Sequence, residues 1–346
     1  MAAAASLSPR VELAARLLAA DVGAFRAREL IQALGPSPSL GELLRRMTPA
    51  ERERAEAADL SLVSRALANG ATIVDAAGLP SEEHLPPYLF AWGQIESLQA
   101  PRIAIVGTRH ASAYGRAVAQ KFAEAFARAG VTVVSGGAHG IDAAAHKGAL
   151  AADGITVAVM LTGIERVYPL EHRGLFQQIR QKGCLLSQFA VGAQPGKFRP
   201  LMRNRTIAAL SQAVLVVEAP AKSGSLNTAT AAAEIGVPLF VVPANIDAEG
   251  FRGSHALIRE GATLVEHPDQ VLMDLGIRTV EQPKLLAVPE NEVQAKILAV
   301  LSTDPMNSEK IAQTAGLSPD EVLSELTMLE LDGLVLRDGA GYVIKP

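Results

Sequence analysis

The stretch VTVVSGGAHGIDAAAH, residues 131–146, sets a β-branched apolar run directly before a glycine-rich turn and a small-residue helix start. A run too short and too branched for a helix, then a turn, then helix formers reads as strand–turn–helix, the repeating unit of a parallel sheet. The same order recurs on either side of it: RIAIVGTRHASAYG at 102–115 and AVLVVEAPAKSGSLNTA at 213–229, with further apolar runs ITVAVML at 155–161 and PLFVVPA at 238–244. Continuous Val/Ile/Leu runs belong to strands buried on both faces, so residues 71–282 are expected to form a doubly wound, mostly parallel α/β domain.

Outside this core the pattern changes. Residues 1–70 read as a small helical module, broken at Gly23, with a run from an N-cap at Thr48 to a stop at Gly70. Its glycine-containing turn fits either a helix-hairpin-helix facing a DNA backbone or a plain packing or dimerisation module, and Glu51, Glu53, Glu56 and Asp59 lie nearby. Residues 283–289 read as a linker. In residues 290–346 the order helix, helix, turn at Gly316, helix capped by Ser318, and a hairpin around Asp338 to Gly341 matches a winged helix.

The chain has 346 residues, 49% of them hydrophobic, enough for a sizeable core. A single cysteine, Cys184, excludes an internal disulfide framework and a multi-cysteine metal site. The first residues lack a signal-peptide pattern, and no stretch reaches the roughly 18 apolar residues of a membrane span, so a cytoplasmic protein with no membrane contact is expected. The formal charge of −4 gives no overall hint of a nucleic-acid partner, but its distribution does. From His172 to Val217 there is no Asp or Glu, while Arg173, Arg180, Lys182, Lys197, Arg199, Arg203 and Arg205 all fall in that segment.

Ligands of open parallel sheets collect beyond the carboxyl ends of the strands. Three loops fall there: Gly107–Gly115, Ser135–Asp142 and Glu218–Ala229, each with small residues, hydroxyls and backbone N–H groups that suit phosphate. Neither G-x-G-x-x-G nor G-x-x-x-x-G-K-[ST] occurs, which argues against a nicotinamide enzyme or a P-loop ATPase and for no cofactor. Asp142 and His146 stand i, i+4, but two ligands are too few for a metal, and a carboxylate in the first turn of a helix has a structural use. In KFRPLMRNR, residues 197–205, four cations oppose the dipole of the helix they begin. A bound phosphate relieves that; so would internal pairing of Arg203, Asn204 and Arg205 with Glu218, Asp142 or Glu234. Arg109, just past a central strand, is expected to reach into the same crevice, and several phosphate cradles in a row suit an extended polyanion. The third helix of the C-terminal segment carries Asp320, Glu321, Glu325, Glu330 and Asp332 without Lys or Arg, so that module is expected to meet protein rather than a DNA groove.

From about Arg102 to Ala262, through IAIVGTRHASAYG, VVSGGAHGIDAAAH, the YP pair, MRNRTIAALSQAVLVVEAPAKSGSLNTATAAAE and PLFVVPA, the chain resembles the DprA/Smf family of DNA-processing proteins. The resemblance implies an extended Rossmann-like fold between a SAM- or helix-hairpin-helix-like module and a winged helix. It implies single-stranded DNA binding, dimerisation, loading of the RecA recombinase during transformation, and no catalysis. It places the family's motifs on Gly107, Thr108 and Arg109; on Ser135, Gly136, Ala138, Gly140, Ile141 and Asp142; on Lys197, Arg203, Asn204 and Arg205; and on Ser223, Gly224, Ser225, Thr228 and Ala229. Ser112, Gly137 and His139 join the expected DNA contacts, while Asp142, Glu218, Thr228 and Glu234 are expected to support the loops. Three positions depart from the family: His139 where a basic residue is common, Gln188 where an acid is, and Pro200 where some members have an aromatic. Base stacking would then fall to Phe198 or Tyr114. The competing class is a phosphoribohydrolase-like enzyme using Glu218 and Glu234 as acid and base, against which stands the absence of a PGG-x-GT loop.

Overall fold

A computed structural model describes residues 7–35, 39–79, 81–277, 291–302, 305–331, 334–339 and 341–344. The chain divides into two compact units, Met1–Thr279 and Val280–Pro346. The expected linker at 283–289 lies outside the described residues.

Five helices open the first unit: α1 (Pro9–Ala19), α2 (Ala24–Gln32), α3 (Leu40–Arg46), α4 (Pro49–Glu56) and α5 (Leu60–Ala68). The stretch from Thr48 to Gly70, expected as one helix, is two. Thr48 and Glu51 form a reciprocal capping box that starts α4, and Asp59 accepts the Ser61 and Leu62 N–H groups, so a new helix begins there. Four arginines of these helices are used internally: Arg28, Arg52 and Arg54 donate to the carbonyls of Leu85, Leu44 and Ala20, and Arg16 pairs with Glu12.

The strands β1 (Ala71–Asp75), β2 (Tyr88–Gly93), β3 (Arg102–Val106), β4 (Thr132–Ser135), β5 (Thr156–Val159), β6 (Cys184–Ser187), β7 (Ala213–Val216), β8 (Leu239–Val241) and β9 (Thr263–Leu264) form one sheet in the order β1-β2-β6-β5-β4-β3-β7-β8-β9. From β6 to β9 every pairing is parallel; the β1–β2 hairpin adds two antiparallel strands beside β6. The connecting helices are α6 (Ala113–Arg128), α7 (Ile141–Ala151), α8 (Arg173–Lys182), α9 (Arg199–Ala209), α10 (Ser225–Glu234), α11 (Arg252–Arg259) and α12 (Pro268–Asp274). Successive strand residues alternate between faces. Ile103, Ile105 and Val133 pack with Phe122 and Phe126 of α6 and Val271 of α12. Ala104, Val106 and Val134 pack on the other face with Ile207 of α9 and Ala232 of α10. Toward β2 the first face is covered by α8 and the opening helices, which share a core with Phe90, Ala158 and Leu185.

The second unit contains α13 (Glu292–Val300), α14 (Ser308–Ala315) and α15 (Pro319–Leu331), then the hairpin β10 (Val335–Asp338) and β11 (Gly341–Ile344). Gly316 ends α14 at φ +68, a left-handed position that glycine fills at no steric cost. Ile297, Ile311, Val322, Leu326 and Val335 form its core, the arrangement expected of a winged helix.

Candidate nucleic-acid interface

After β3 the chain steps outward through β4, β5 and β6, then returns to place β7 on the other side of β3. The loops that follow β3 and β7 therefore part in opposite directions, and a crevice opens between them at the carboxyl ends of the strands. It encloses about 400 Å³ and is walled by Gly107–His110, by Pro200, Arg203 and Asn204 of α9, and by Pro220 and Lys222–Ser225. Asp142 and Thr228 close its floor. A side cavity of about 80 Å³ lies between Arg109, Gly136, His139 and Arg203.

The two walls are tied to one another. Thr108 donates its N–H to the Glu218 carbonyl at 2.7 Å, and the buried Glu218 carboxylate accepts from both the N–H and the hydroxyl of Ser112, at 2.9 and 2.7 Å. Ser112 in turn caps α6 by accepting the Gly115 N–H. Its oxygen is spent on the fold, as is that of Ser135, which donates to Ile105 on β3. Both were expected as DNA contacts; neither reaches the crevice or the side cavity.

The glycine loop differs from its sequence reading in the same way. Glycines there were expected to admit a phosphate, yet the atoms pressed against them belong to the protein. A Cβ on Gly136 would overlap the Arg203 guanidinium, one on Gly137 would meet the Phe176 ring, and one on Gly140 would meet the Thr108 carbonyl. The start of α7 is likewise occupied, with the Ile141 N–H on Thr108 O and the Ala143 N–H on Ala138 O. Asp142 holds the loop as expected, accepting from the Ala138 N–H, and its Oδ2 stands 3.9 Å from Arg203 Nη1. Burial pushes the Asp142 carboxyl up from its ordinary range, against the pull of Arg203. Burial also pushes the Arg203 guanidinium down, against Asp142, and nearby Arg109 adds to that fall. At 3.9 Å this is a loose pair. Nη1 lies 3.4 Å from the Val159 carbonyl, and Nε has no partner.

Consecutive helical residues point about 100° apart, so Arg203, Asn204 and Arg205 do not share one direction. Arg203 is buried under the crevice, Asn204 donates to the Gly224 carbonyl across it, and Arg205 turns away to pair with Glu234 at 2.7 Å. Internal pairing, the bland alternative, thus holds for both arginines. Lys197 and Phe198 lie outside the crevice wall, exposed at the start of α9, with the ammonium 5.8 Å from the ring centroid. Arg109 and Lys222 are exposed on two different loops of the crevice and make no hydrogen bond or ion pair among the described residues. Lys222 escaped the sequence reading; the signal was a lone cation between Glu218 and the SGS turn.

His146 is fully buried and donates from Nδ1 to Thr156 Oγ1, whose own proton goes to the Val133 carbonyl. Nε2 is buried without a hydrogen-bond partner, and burial, with His172 and Arg203 nearby, lowers the pKa to about 3. Among the described residues no three His, Cys, Asp or Glu side chains converge on a metal position. His139 is half exposed, its ring edge-on to His172 at 4.5 Å. Of the aromatic candidates, Phe198 is 68% and Tyr114 51% exposed, Tyr114 in a separate hollow where its ring meets that of Phe251. Gln188, where an acid is common, is buried and accepts from Thr206. Glu218 and Glu234 do not converge: the first faces Ser112, the second ends α10, ten residues in length, on Arg205.

Comparison with known proteins agrees with this arrangement. The family described as DNA recombination-mediator protein A matches residues 76–276, and the DprA winged helix domain matches residues 281–341. Protein Smf of Escherichia coli is 36% identical over 270 residues, 75% of this chain and 71% of that protein. The X-ray structure of DNA processing protein A from Streptococcus pneumoniae superposes with a TM-score of 0.68 at 30% identity, over 78% of this chain and 99% of that one. DNA processing protein A from Helicobacter pylori, whose structure was described for its single-stranded DNA binding mode, superposes with a TM-score of 0.54 at 29% identity, over 59% of this chain and 95% of that one.

Proposed function

Because the chain belongs to the DprA/Smf family of DNA-processing proteins, we propose that it binds single-stranded DNA by the phosphate backbone along the switch-point crevice, without catalysis. One observation carries this reading: Arg109 and Lys222 stand exposed on two loops of one open crevice, each without an acid partner among the described residues. Two free cations at the mouth of a groove whose floor is already neutralised by its own Arg203–Asp142 pair attract an anion too long to sink into it. Lys197 and Phe198, at the start of α9, would extend the path with a charge and a stacking face. We further propose two finer parts, that the protein is a homodimer and that it hands the strand to RecA; the recombination-mediator description of the matched family is in line with the second alone.

The enzymatic alternative needs two carboxylates on one substrate, and Glu218 and Glu234 serve two different partners instead. Fluorescence anisotropy of a labelled single strand tests the proposal. Binding should weaken steeply with salt, with little sequence preference and a preference over duplex. A strand that stays free at low salt sinks it. Sedimentation of the full chain and RecA filament growth on a strand coated with single-strand-binding protein test the two finer parts.

A further inference from the structure

A second cavity, of about 350 Å³, is lined by α8, by Trp92 of β2, by Leu185 of β6 and by the segment that follows β5. Met160, Ile164, Leu185 and Phe176 make it apolar, and at one end stands Trp92, the sole tryptophan of the chain, partly buried with the Arg180 guanidinium 4.2 Å above its ring. Arg173, Gln177 and Arg180 are spaced i, i+4 and i+7, so one face of α8 carries two cations along the rim. Neither guanidinium makes a hydrogen bond or ion pair among the described residues. Both belong to the acid-free segment that begins at His172. Glu165, the acid on this wall, accepts the Gly192 N–H on Oε1 at 2.9 Å, and its buried Oε2 is left to accept from a base N–H. An apolar slot with an aromatic end and an unpaired cationic rim fits a flat, weakly polar group carried on an anionic chain.

The cavity also adjoins the crevice region. Phe176 lines it and is at the same time the ring pressed against Gly137 in the glycine loop, while His172, one residue before Arg173, bonds the Gly137 carbonyl at 2.9 Å. We infer that this cavity is an accessory nucleobase subsite: a strand leaving the crevice past His139 and His172 lays phosphates on Arg173 and Arg180 and inserts a base beside Trp92. The inference rests on the single-stranded DNA reading above and names where the strand continues.

Trp92, being alone, reports on the cavity directly. The full chain is titrated with an oligothymidylate of roughly 20 nucleotides, beyond the site sizes of about 4–16 nucleotides usual for one groove, while anisotropy and tryptophan emission are followed together. Emission is expected to change in step with binding. Removing one phosphate contact from a single strand lowers the salt slope by about 0.7, so Arg173→Ala should cost that much and Arg173→Ala/Arg180→Ala about twice it. Arg173 is exposed and does not touch Trp92, so its variant keeps the test valid if Arg180→Ala alters the emission by itself. Binding with unchanged Trp92 emission and an unchanged slope for Arg173→Ala overturns the subsite and leaves the crevice reading standing. A strand that does not bind at all overturns the crevice reading. Emission that answers to an acidic peptide with a central leucine, but not to DNA, also overturns the subsite.

Discussion

Arg203 stands behind Gly136, its guanidinium occupying the space where any other residue at 136 would put its Cβ. A glycine that looks made for a ligand is thus made for a side chain 67 residues ahead, and the loop, the buried cation and Asp142 form one packed unit.

Gly136→Ala should therefore unfold the protein more easily without touching a ligand. Displacing Arg203 overpacks the loop and loosens the cation from Asp142, which keeps only its neutral donors, a change that costs about 1–3 kcal/mol. Gly224→Ala, with nothing within 4 Å of the new Cβ, should change urea stability by less than about 1 kcal/mol. Equal midpoints for the two variants would refute this account of the loop.

The free cations and the paired one should separate in binding. Arg109→Ala and Lys222→Ala are each expected to reduce the salt slope of single-strand affinity by about 0.7, with thermal stability unchanged. Arg205→Ala breaks only its half-exposed bridge to Glu234 and should bind like the parent. A large loss for Arg205→Ala with none for Arg109→Ala would reverse the assignment.

Ser112 and Glu218 are expected to behave as one unit. Ser112→Ala removes a helix cap and one donor to a buried carboxylate, about 1–3 kcal/mol in all, and Glu218→Gln should cost a similar amount. Since each change removes the bond the other would break, the double variant should fall short of the sum by about 0.5–3 kcal/mol. Strict additivity in chemical denaturation would contradict the shared bond.

His146 predicts a specific acid sensitivity. Its folded pKa is depressed to about 3, below the 6.5 of an exposed imidazole, so its contribution to stability is complete above 6.5. As pH falls from 6.5 toward 3 the unfolded chain takes up a proton that the folded chain refuses, and up to about 5 kcal/mol is lost. His146→Gln should flatten the stability profile between pH 6 and 4 relative to the parent; an unchanged profile would show that His146 does not set it.

The parallel core was legible because both-face burial leaves an unmistakable run of Val and Ile, as in Ile103–Val106 and Val214–Val217. Strand β2 is not evident in the sequence, since Tyr88–Gly93 is the second strand of the β1–β2 hairpin and its other neighbour in the sheet, β6, lies about ninety residues on. In the site, Arg109 was readable from its place after a central strand. The roles of Gly136, Ser112 and Arg203 were not, because a glycine, a hydroxyl or a cation beside a crevice looks the same in sequence whether it serves a ligand or the fold. Only the partner, Arg203, Glu218 or Asp142, tells them apart, and each is distant along the chain.

The pairing of β2 with β6 also dictates an order of events as the chain is made. The opening helices share their core with Phe90 and Leu185, so they find their full packing only once Cys184–Ser187 has left the ribosome. Until then their apolar faces wait, which makes this a slow, long-range step of folding. A fragment beginning after β2 would meet the opposite difficulty: β6 would become a bare edge strand, open to pairing with any other extended chain.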